Sequence, residues 1–87
     1  MFVWKPTAAE RTAFLAAPRQ SDMARLLGVT GRSFRNVTRA VFGAYVSHGD
    51  ALDDALRAAL LAYHTADTVE ERKRIAQEYR ATVTTGG

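Results

Sequence analysis

Apolar positions along the 87-residue chain recur three and four apart, and polar caps, prolines and glycines interrupt them at intervals. That pattern predicts helices throughout. Thr7 and Glu10 have capping-box spacing, and Pro6 and Pro18 bound a first helix over about 8–17. Its Phe14 and Leu15 are expected to pack with Phe2, Val3 and Trp4. Ser21 is placed to cap a second helix, Asp22 to about Leu27, with Asp22 near the positive end of the helix dipole. Gly28 stops it, and Thr30 can cap a third helix from Gly31 to somewhere between Phe42 and Ser47. Asp50 is expected to cap a fourth over about Ala51–His64, where Leu52, Leu56, Ala59 and Tyr63 share one stripe. Thr68 and Glu71 repeat the capping-box spacing at the head of a fifth helix, to about Thr82. There Ile75, Ala76, Tyr79 and Val83 align, and Glu70 faces Arg74 at i,i+4. The expectation is an all-α chain, a compact bundle of about five helices in a single domain over 1–83. Residues 84–87 are expected to be a disordered tail.

One segment, Gln20 to Arg39, carries more than periodicity. Two short helices that cross steeply through a tight turn need a small residue at their closest approach, and Ala24 supplies it. Four residues later the turn needs a left-handed backbone, which Gly28 adopts without a Cβ penalty. Val29 then suits the apolar plug of the turn, and Phe34 with Val37 shows two apolar residues three apart toward the first helix. This spacing resembles the bacterial and phage helix-turn-helix regulators of the Cro/repressor type, over about twenty residues. The sequence departs from that pattern in two places: Gly31 is a poor helix former at the start of the second helix, and Phe34 is bulkier than the usual aliphatic residue.

A helical wheel sharpens the reading. At about 100° per residue, with Phe34 at zero, Val37, Thr38, Val41 and Tyr45 fall within about 60° of it. Arg32, Arg35, Asn36 and Arg39 fall at about 160°, 100°, 200° and 140°, on the opposite side. Arginine can read guanine and asparagine adenine from the major groove. The resemblance implies base or phosphate contacts by Arg32, Ser33, Arg35, Asn36 and Arg39, with Thr30 near the DNA backbone.

Charge agrees with that placement. Residues 1–49 carry seven Lys/Arg against Glu10 and Asp22, a net +5, whereas residues 50–87 carry five against seven acids, a net −2. A basic half joined to an acidic half suggests that the first faces a polyanion. Arginine outnumbers lysine ten to two and there are sixteen alanines, a composition that favours helix.

Other chemistries find little support in the sequence. Without cysteine there are no disulfides or thiolate metal sites, and a reduced cytoplasm is the default location. No apolar run approaches membrane-spanning length, and the start of the chain is too short for a signal peptide. His48 and His64 are sixteen residues apart with no further ligands nearby, so each is expected at the surface or at a cap, with no metal and no cofactor. Asp53 and Asp54 are expected in the first turn of the fourth helix, complementing its dipole and not paired for catalysis. The aromatic residues are spread over every element and are expected in the core. Leu61 falls opposite Leu52 on its helix and is either frayed, covered by the N-terminal segment, or part of a self-association surface.

The expected function is sequence-specific binding of double-stranded DNA by a non-enzymatic transcription regulator, a repressor-like protein of phage or mobile-element type. In that reading the fourth and fifth helices, about 51–82, complete the core or dimerise the chain. The alternative is a helical protein-interaction module, for example a phage-encoded protein that binds and modulates a host protein.

Overall fold

A computed structural model describes residues 2–43 and 52–86, with side chains as far as Thr82. The described residues form five helices and no strand: α1 (Ala8–Ala16), α2 (Gln20–Leu27), α3 (Gly31–Phe42), α4 (Asp54–Thr65) and α5 (Val69–Gly86). The Cα radius of gyration is 12.1 Å, against about 12 Å for a compact domain of this length. The chain is therefore packed, not strung out.

Most helix starts follow from local chemistry. Thr7 and Glu10 form the full capping box, with Thr7 N–H donating to Glu10 Oε1 at 2.8 Å and Glu10 N–H to Thr7 Oγ1 at 3.2 Å. Thr30 Oγ1 accepts from Ser33 N–H at 3.1 Å, and α3 begins at Gly31 despite its low helix propensity. Between α2 and α3, Gly28 adopts φ +78°. Its N–H reaches Arg25 O, and Val29 N–H reaches Ala24 O, a complete Schellman closure of α2.

Other boundaries differ from expectation. Helix α2 starts at Gln20, with extended Arg19 as its unassisted N-cap, so Ser21 is not the cap. Burial of the Gln20 side chain draws the first turn inward, and Asp22 reaches back to Arg19 at 3.6 Å. The cap of α4 is Asp53, whose Oδ1 accepts from Leu56 N–H at 2.7 Å. Residues 52 and 53 thus precede the helix, and the expected cap Asp50 lies outside the described residues, with Tyr45, Ser47, His48 and Ala51. At the head of α5, Thr68 Oγ1 accepts from Glu71 N–H, but the Glu71 carboxylate turns to Arg74 at 3.5 Å. That i,i+3 pair forms where Glu70–Arg74 was expected. Helix α5 continues to Gly86, past Thr82, because no proline interrupts it and each threonine costs only about half a kcal/mol.

A relay of aromatic contacts crosses the interior. Trp4 packs on Phe14 (ring centroids 5.3 Å apart), Phe14 on Phe34 (6.5 Å), and Phe34 on His64 (5.4 Å, nearly parallel). From there the contacts run through Tyr63 and Phe42 to Tyr79. Met23, Leu27, Leu52, Leu56 and Leu60 fill the space around this relay. Leu15, expected in the core, is 42% exposed, because Phe14 alone takes the inward position on α1. On α4 the buried residues are Leu56 and Leu60, with Ala59 and Tyr63 half-buried beside them. Leu61 is also half-buried, packed against the core. The N-terminal segment crosses this end of α4, where Trp4 N–H donates to His64 O at 2.8 Å.

Three arginines of the acidic half tie helix ends together. Arg57 Nε donates to Ala17 O at the end of α1, and Arg72 Nε to Ala66 O at the end of α4. Arg80 donates to Ala40 O and Val41 O in the last turn of α3, at 3.0 and 2.9 Å. Helix C-termini leave carbonyls without intrahelical partners, and these guanidiniums satisfy them from a neighbouring element.

Candidate nucleic-acid interface

Helix α3 has two contrasting faces. Phe34, Thr38 and Phe42 are buried toward α2, α4 and α5, and Thr38 satisfies its hydroxyl on Phe34 O at 2.9 Å. Arg32, Ser33, Asn36 and Arg39 are exposed, while Arg35 is half-buried. The wheel accounts for that difference: Arg35 lies at the flank of the arc, nearer the core than the other three. Arg32, Asn36 and Arg39 therefore form its centre, spaced i, i+4 and i+7 over about 10.5 Å of helix axis. No acid occurs anywhere on α3. The helix is fixed at both ends, by the Thr30 cap and Gly28 turn at its start and by Arg80 at its finish.

The residues expected to pack the turn divide. Ala24 and Phe34 are each 1% exposed, Gly28 takes the left-handed conformation, and Val37 is half-buried. Val29 does not plug the turn: it is 41% exposed. Val29 instead borders a cavity of about 90 Å³ with Phe2, Leu27, Ser33, Val37 and His64.

His64 is the second departure. It is neither at the surface nor a side-chain cap but stacks on Phe34 inside the bundle, with Nε2 buried and no hydrogen-bond partner to it. Burial, and after it the charge of Arg72, lowers its pKa from 6.5 to about 4. The sequence held one usable signal, since position 64 follows Leu60 by four residues on the inward stripe.

Because the folded-state pKa is depressed, the neutral-His64 fold has its full stability above pH 6.5. It loses stability as the pH falls toward 4, where the unfolded chain binds a proton that the folded chain refuses. The fall amounts to about 3 kcal/mol across that window. Urea titrations at pH 7 and pH 4.5 should show it, and His64→Leu should remove this part of the pH dependence. Equal pH dependence in the variant would contradict the burial of a neutral imidazole.

Among the described residues, no cluster of three or more His, Cys, Asp or Glu is placed to hold a metal ion, and no helix is long and apolar enough to cross a membrane. Comparison with protein-family models, with curated proteins and with solved structures finds no match to this chain.

Proposed function

We propose that α2, the Gly28 turn and α3 form a helix-turn-helix of the Cro/repressor kind, and that the chain binds double-stranded DNA sequence-specifically, as a transcription regulator, through α3. One observation carries the reading: the exposed face of α3 gathers Arg32, Asn36 and Arg39 with no acid on that helix, while its opposite face is buried. Guanidinium and carboxamide groups are the side chains that read purine edges in the major groove. Arg35 and Ser33 flank this centre and serve phosphate contacts, which set register and not sequence. Thr30 already uses its hydroxyl oxygen as the cap of α3; its hydroxyl proton can still reach a phosphate.

The testing experiment is selection from a randomised duplex library, followed by sequencing. The expected outcome is one enriched motif containing guanine, with adenine opposite Asn36. A palindromic motif would add that two copies bind together. Recovery of a random pool would contradict sequence-specific reading.

A second reading, a module that engages another protein, draws on a different observation. Phe2 is 57% exposed and Val29 41% exposed beside the same turn, and both border one cavity with half-buried Val37 of α3. Exposed apolar groups gathered in one place mark interaction surfaces. The salt dependence of duplex binding separates the two readings.

A further inference from the structure

Between the C-terminal end of α3 and the facing sides of α4 and α5 lies a groove of about 420 Å³, lined by Val41, Tyr63, Val69, Arg72, Lys73 and Ala76. It is separate from the exposed arc of α3 and does not depend on the DNA reading. Its size falls in the range of roughly 300–1,000 Å³ that holds small organic ligands. Its chemistry is one-sided: aliphatic and aromatic walls, two cations and no carboxylate.

The cation at its floor is already in place. The Arg72 guanidinium sits 4.9 Å from the centroid of the Tyr63 ring. It is pinned there by donating from Nε to Ala66 O at 3.2 Å and from Nη2 to Phe2 O at 2.6 Å. Those acceptors are neutral carbonyls, so they fix the group without cancelling its charge. The ion pairs among the described residues are Arg19–Asp22, Arg57–Asp54 and Arg74–Glu71, and neither Arg72 nor Lys73 takes part in them. The acids Glu70 and Glu71 border a different recess, with Arg74. The positive field of Arg72 is felt at His64, whose protonation it opposes.

We propose that this groove binds a small amphiphilic monoanion, an apolar body of aromatic or aliphatic carbon bearing one carboxylate or sulfonate. The apolar body lies along Val41, Val69 and Ala76, and the anionic group meets Arg72 and Lys73. A cation fixed before binding loses little entropy on engaging its ligand. Its apolar surroundings strengthen the attraction compared with water.

Anilinonaphthalene sulfonate has this chemistry and becomes fluorescent in apolar sites, so it serves as the probe. The full chain at pH 7 should bind it saturably, one per chain. The uncharged analogue phenylnaphthylamine should bind about tenfold more weakly, a difference of about 1.4 kcal/mol. Two variants test the groove without disturbing the core, because both residues are exposed. Lys73→Glu reverses one cation. Val69→Asp places a carboxylate in the groove at the first residue of α5, where an acid complements the helix dipole. Each should retain the helical circular-dichroism signal and lose about tenfold in probe affinity. Wild-type affinity in Val69→Asp, or equal affinity for the charged and uncharged probes, would overturn the proposal.

Discussion

Replacing Phe34 by alanine is expected to cost about 3–5 kcal/mol, a large share of the stability of the chain. A domain of this length has only about 4–13 kcal/mol of stability in total. Phe34 is the ring on which the interior converges: 1% exposed, in edge contact with Phe14 of α1 and stacked on His64 of α4. Its removal opens a cavity at the junction of three helices and strips the stacking partner from an imidazole whose buried Nε2 already lacks a hydrogen-bond partner. The surrounding helices cannot collapse into the space, because Arg57 and Arg80 hold helix ends in place through carbonyl hydrogen bonds. Urea unfolding followed by circular dichroism measures the loss. Leu15→Ala is the internal control: with 42% exposure it should change stability by about 0.5 kcal/mol or less. Similar costs for the two substitutions would contradict the packing described above.

The largest functional effect is expected from Arg32→Ala combined with Arg39→Ala. The pair removes both charges at the centre of the exposed arc while leaving Phe34, Thr38 and Phe42, which dock α3, untouched. Each lost contact to a phosphate or a base edge should cost about 1–3 kcal/mol, so duplex affinity should fall by about 30-fold or more. Loss of net charge alone cannot explain such a drop if a matched control stays tight. Arg11→Ala with Arg74→Ala removes the same charge from α1 and α5 and should change affinity by only about two- to threefold. Alanine favours helix, so the α3 variant should keep its fold and the thermal midpoint should move little.

The sequence made the helical punctuation legible at three places where the signal was local. The Thr7–Glu10 box, the Thr30 cap and the Gly28 turn each involve residues within a few positions of one another, and all three stand in the structure. The start of α2 was less legible, because Gln20, whose side chain is buried there, is polar and gives no apolar signal in the sequence. The choice among Asp50, Asp53 and Asp54 as cap of α4 depends on where Leu52 and Leu56 find the core. On α3 the division into a buried and an exposed face could be read from periodicity, and Arg35 at 100° was already the marginal member of its arc. The role of Val29 could not be read, because whether the turn needs a plug depends on how much room Phe34 leaves. Nor could the carbonyl-tying work of Arg57, Arg72 and Arg80, which spans 40, 70 and 39 positions of sequence. Such long-range pairings leave no periodic trace.

The central claim is that the exposed arc of α3 meets the phosphate-lined groove of a duplex. Fluorescence anisotropy of a labelled random duplex, titrated with the wild-type chain from about 50 to 200 mM salt, tests it most directly. The account predicts binding that weakens steeply over that range, with a log–log slope shallower by about 2 when Arg32 and Arg39 are both alanine. No binding at the lowest salt, or a slope the same in both proteins, would contradict it.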